Sequence, residues 1–87
     1  MIKEVLGVGE TEAKTTFELA EHFGMTTREV RDLVRRERLG GAAICSSNSG
    51  YYLPRTLEEL KETIRVLYLK GDETRRVADA MSKIVIE

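Results

Sequence analysis

Four arginines, Arg28, Arg31, Arg35 and Arg38, recur at spacings of three, four and three residues. On a helix that advances roughly 100° per residue, they fall within about 80° of one another and form a single stripe. A guanidinium is always charged and presents a planar fork of donors. That fork matches phosphate oxygens and the major-groove edge of guanine. The chemistry this spacing offers is therefore nucleic-acid contact. The bland alternative is a solvated face, paired locally by Glu29, Asp32 and Glu37.

No other constellation competes with the stripe. Histidine occurs once, at His22, and cysteine once, at Cys45. That excludes a disulfide framework, and a zinc site built within one chain, which needs about four clustered ligands. No two titratable residues stand at a spacing that makes a catalytic pair, and no phosphate-cradling glycine loop opens a helix. The expectation is a non-enzyme with no cofactor and no metal. His22, beside Glu21, reads as a surface residue, and Cys45 as a small strand residue facing the core.

Charge is distributed unevenly. The 87 residues carry a formal net charge of −1, which by itself argues for no polyanionic partner. Residues 28–55 nevertheless hold six arginines against three acidic residues, a net of +3, between flanks of −3 (residues 1–27) and −1 (residues 56–87). A nucleic acid would have to be met by that middle segment alone. Length bounds the chain to one small domain. No apolar run approaches the ~20 residues of a membrane span, and residues 1–14 lack the pattern of a signal peptide. Together with the single cysteine, this predicts reduced, cytoplasmic surroundings and no membrane partner.

The stripe needs a helix, and the sequence punctuates one. Thr15-x-x-Glu18, Thr26-x-x-Glu29 and Thr56-x-x-Glu59 each match a capping box, in which threonine and glutamate satisfy each other's first-turn amides. The first box predicts a helix from Thr16 to Phe23 ended by Gly24, with Phe17, Leu19, Ala20 and Phe23 inward. The second predicts a helix from Thr27 to Leu39, stopped by Gly40 and Gly41, with Val30, Leu33 and Val34 inward and the arginines outward. Two β-prone runs, Ala42 to Ser46 and Tyr51 to Pro54, around Ser47-Asn48-Ser49-Gly50 predict a hairpin closed by Pro54. Tyr51 and Tyr52 should face opposite ways, one core and one edge. From Leu57 the apolar spacing predicts one long helix to about Ser82, weakened or bent at Gly71, with Ile84 to Glu87 frayed; the alternative is that Gly71-Asp72 stops one helix and caps the next. Ile44, Leu53, Leu60, Ile64 and Leu67 complete the expected core. Ile2, Val5, Leu6 and Val8 fit either a short helix or a strand.

Ala20 for close helix approach, Gly24 at the turn, and Val30 and Leu33 facing back across it resemble the helix-turn-helix pattern from Thr16 to Leu39. The hairpin ending in Gly50-Tyr51-Tyr52-Leu53 resembles the wing of biotin-repressor-type winged helices. The trailing helix is similar to that of small winged-helix proteins from phages and prophages of Gram-positive bacteria. The resemblance covers roughly Thr16 to Met81. It implies an α+β, mostly α fold: a winged helix-turn-helix domain over residues 1–54, and a C-terminal helical extension over 55–87 packing on it. It implies a double-stranded DNA partner, in a phage or prophage regulator or replication accessory. Helix 27–39 would enter the major groove, with Thr27, Arg28 and Arg31 nearest the base edges and Arg35 and Arg38 toward phosphates. Ser47 and Asn48 at the wing tip offer hydrogen bonds but no charge. The alternative is a winged-helix module for protein interaction that binds no DNA. A weak homodimer or a monomer is a further expectation, with any self-contact through residues 74–85, since Val77, Ala78, Met81, Ile84 and Val85 lie beyond the small core.

Overall fold

Both predicted capping boxes at the start of the chain close. Thr15 Oγ1 accepts from the Glu18 amide at 3.1 Å and Glu18 Oε1 accepts from the Thr15 amide at 3.0 Å. Thr26 and Glu29 repeat the arrangement at 3.1 and 3.0 Å. They start α1 (Thr16–Phe23) and α2 (Thr27–Leu39). Between them Gly24 takes the left-handed conformation, φ 64° and ψ 39°. The Met25 amide donates to Ala20 O at 3.0 Å and the Gly24 amide to Glu21 O at 3.3 Å. This paired closure satisfies the last carbonyls of α1 and turns the chain into α2.

The computed structural model describes residues 1–69 and 72–83, and side chains at all of these except 72–75. After α2 come β1 (Cys45–Ser47) and β2 (Gly50–Tyr52), an antiparallel hairpin in the register Cys45 to Tyr52. Then follow α3 (Leu57–Leu69) and α4 (Asp72–Ser82). Short 3-10 turns lie at Lys3–Val5 and Glu10–Glu12. The described fold is thus α+β and mostly helical. None of its described helices is long and apolar enough to cross a membrane.

The N-terminal segment combines the two elements expected, a short 3-10 helix at Lys3–Val5 and strand-like bridges at Val8 and Lys14. It runs along the free edge of β2. Lys14 and Tyr51 exchange backbone hydrogen bonds at 2.9 and 2.8 Å, Gly9 N donates to Leu53 O at 2.8 Å, and Leu53 N donates to Gly7 O at 2.9 Å. An exposed edge with unpaired amides is thereby covered. Gly50, at φ 122°, permits the approach: a Cβ there would collide with the Lys14 carbonyl.

Side chains alternate across the hairpin, so each face seals a different core. Ile44, with half-buried Tyr51 and Leu53, closes a cluster built from Ile2, Leu19, Val30 and Val34. Cys45 and Tyr52 close a second one with Leu60, Leu67, Val77, Ala78 and Met81. Tyr52 is the core tyrosine, and Cys45 faces inward as expected. Three expectations change. Phe17 is 77% exposed rather than core; it lies about 110° round the helix from the centre of the Leu19, Ala20 and Phe23 face. The single long helix is two helices, α3 and α4, packed on each other, while the expected weak point at Gly71 and the expected fraying of Ile84 to Glu87 lie outside the described residues. Val77, Ala78 and Met81, at 3%, 0% and 0% exposure, are buried within the chain, so these three do not supply the exposed apolar face expected over 74–85. Ile84 and Val85 lie outside the described residues.

Candidate nucleic-acid interface

The arginine stripe lies on α2, whose inner line is Val30 and Val34 with Leu33 half-buried beside them. Arg28 and Arg31 are exposed on the outer face, with Asp32 exposed beside them. Thr27 and Arg35 are half-buried at the margin of that face. Arg36, which the stripe omits, is also exposed.

Arg38 does not belong to the stripe. It is only 7% exposed. Its Nε donates to Ile44 O at 2.8 Å, and Nη2 donates to Ser46 Oγ at 3.1 Å. The guanidinium carbon lies 5.8 Å from the centroid of the Tyr51 ring. Burial lowers its pKa from the ordinary guanidinium range, opposed by Tyr51 and Cys45; a guanidinium in a protein nonetheless keeps its proton. Arg38 sits about 40° round the helix from Val34, on the flank nearest the core. The hairpin packs against that flank and supplies the acceptors that make burying the charge tolerable.

Two of the acidic residues on α2 are likewise committed. Glu29 is held in the capping box, where the backbone amide and then the hydroxyl of Thr26 lower its pKa. Glu37 accepts the amides of Ile2 at 2.9 Å and Lys3 at 3.3 Å, tying the N-terminal turn to the last turn of α2. The outward face of α2 thus presents Arg28, Arg31, Arg35 and Arg36, with Asp32 and the capping Glu29 as its opposing charges.

At the hairpin tip Ser47 and Asn48 are exposed, as the wing reading requires. They line an open cleft of about 490 Å³ together with Thr16, Tyr51, and Glu62 and Val66 of α3. Glu62 is held by Arg65, with Nη2 at 2.6 Å and Nε at 3.2 Å. Ser47 Oγ accepts the Ser49 amide at 3.1 Å, which leaves the Ser47 hydroxyl hydrogen available to an acceptor. The tip can therefore donate hydrogen bonds to a phosphate but adds no positive charge.

Spacing missed the structural roles of Arg38, Glu37 and Thr63. The last is 3% exposed and accepts the Ser46 amide at 3.3 Å. Periodicity reports the face of a residue but not which neighbouring element lies over it. Only the flank position of Arg38 hinted at its role.

No family model, no curated protein and no solved structure matches this chain.

Proposed function

We propose that the chain is a winged-helix module that binds double-stranded DNA, with α2 in the major groove and the hairpin as its wing. The observation that supports this best is the exposed cationic face at the start of α2. Arg28 and Arg31 project from a helix presented by a tight turn after α1, while the opposite side of α2 is locked into the core. Helices of this kind place their first turns against base edges. Thr27, Arg28 and Arg31 are then the base-reading side chains, and Arg35 is turned toward phosphate. Arg38 takes no part in contact. The wing contributes Ser47 and Asn48 as neutral donors. A phage or prophage regulator, or a replication accessory, is the setting this reading favours.

With Arg38 withdrawn and Arg36 counted, four arginines lie on the outward face of α2. Binding to mixed-sequence duplex should be weak, with a log–log salt slope no steeper than about −3.6, at about −0.9 per phosphate. Fluorescence anisotropy of a labelled duplex at two salt concentrations tests this, and salt-independent or absent binding speaks against it.

A second reading, a winged-helix module for protein interaction, has its own support. Phe17 and Leu69 are 77% and 74% exposed. Leu57, Ile64 and Tyr68 line an apolar groove of about 410 Å³ beside Ser82 of α4. Failure of duplex binding would move this reading to first place.

A further inference from the structure

The hairpin is short. Each strand has three residues, and an isolated two-stranded hairpin is at best marginal in water. Its pose comes from what it is tied to: the N-terminal segment along β2, a core on each face, and, toward α2, the buried guanidinium of Arg38. We infer that Arg38 is a positioning residue that bridges α2 to both strands, fixes the hairpin against α2 and so lets the two elements meet one duplex. This deepens the duplex-binding reading and rests on it.

The guanidinium fork reaches two acceptors at once, Ile44 O just before β1 and Ser46 Oγ within it. Two acceptors held by separate nitrogens of a rigid plane set a direction as well as a distance, whereas an ammonium presents its donors from one rotatable nitrogen. Across the ladder Ser46 pairs with Tyr51, whose ring the same guanidinium overlies, so β2 is engaged too. Finally, the Ser46 amide donates to Thr63 Oγ1, which extends the chain of polar contacts from α2 through β1 to α3. Arg38, buried in this bridge, cannot reach a phosphate without unpacking the hairpin.

The experiment compares the full chain with Arg38→Met, Arg38→Lys and Ser46→Ala. Ser46→Ala retains the bond to Ile44 and guards against a variant that fails to fold. Residual dipolar couplings measured by NMR report whether α2 and the hairpin share one alignment frame. Anisotropy with a mixed-sequence duplex at several salt concentrations reports binding. If loss of the fork leaves the hairpin correctly posed about a tenth of the time, apparent affinity falls about tenfold. Arg38→Met and Arg38→Lys should both show this loss, with separate frames for the hairpin and an unchanged salt slope. Ser46→Ala should lose about threefold. Full rescue by lysine would reduce the role to charge and overturn the inference. A slope flattened by about 0.9 in Arg38→Met would make Arg38 a phosphate ligand and overturn it as well. Unchanged affinity in all three variants would do the same. If the parent chain binds no duplex, the proposed function fails first. The couplings then decide the structural half alone: one shared frame in Arg38→Met refutes the bridge, and two frames uphold it.

Discussion

Replacing Gly50 by alanine attacks the junction of the N-terminal segment and the hairpin. A Cβ at Gly50 would overlap the Lys14 carbonyl oxygen and lie 2.6 Å from Lys14 C and 3.0 Å from Thr15 N. The obstacle is backbone, so no side chain can swing aside. The native φ of 122° is also a conformation that alanine resists, at a cost of about 1–3 kcal/mol. Relieving the overlap means moving Lys14 away, which breaks its two bonds to Tyr51, each worth about 0.5–1.5 kcal/mol net. The combined loss is about 2–6 kcal/mol, a large share of the stability expected for a domain of this size. At about 4–8 °C per kcal/mol, the melting temperature should fall by at least about 8 °C. Thermal unfolding followed by circular dichroism measures it. A shift under about 3 °C would refute the close-approach argument, because neither strain nor the lost bonds could then be present.

Two further outcomes follow from the packing and the carboxylates. Met81→Ala should destabilise by about 2–5 kcal/mol in denaturant titration, since Met81 is 0% exposed within the chain; a near-neutral result would mean that Met81 is not core. For Glu18, Glu29 and Glu59, amides of Thr15, Thr26 and Arg55 lead in holding the carboxyls below their usual pKa. A depressed folded pKa means that the stabilisation is full above the unfolded value, near about 4.3, and is lost as pH falls through the folded value. The melting temperature should thus hold steady from neutral pH to about pH 5 and fall below it, less steeply in Glu29→Gln; identical acid profiles for that variant and the parent would contradict the capping account.

The first half of the chain was legible because its signals are local. Thr15, Glu18 and Gly24, and then Thr26, Glu29 and Gly40, mark helix ends by hydrogen bonds that close within a few residues, and both helices lie within those marks. Phase was less secure in a helix of eight residues, and Phe17, on the flank of its first turn, fell outside the buried face. The remainder depended on distant partners. The pairing of Lys14 with Tyr51, the hold of Glu37 on the Ile2 amide, and the burial of Met81 under α3 join residues far apart in sequence. No periodicity encodes them. Of the candidate site, Arg28 and Arg31 were readable because exposure follows from the helical face alone. Arg38 was not, because its acceptors come from the hairpin. The third capping box was half right: Glu59 N donates to Thr56 Oγ1 at 3.3 Å, but the Glu59 carboxylate accepts from Arg55 N at 2.7 Å and from Glu10 N at 3.2 Å.

The central claim is that the outer face of α2 meets duplex DNA. The most direct measurement is the salt dependence of duplex binding by the parent chain and by an Arg28→Ala, Arg31→Ala double variant. The account predicts measurable, salt-sensitive binding by the parent. On a cognate site each substitution should cost about 1–3 kcal/mol and relax base preference. On mixed sequence the double variant should bind more weakly, its slope flatter by up to about 1.8 if both arginines also neutralise phosphates. Equal binding by parent and double variant, or no binding by the parent at low salt, would contradict the claim and leave α2 as a solvated face.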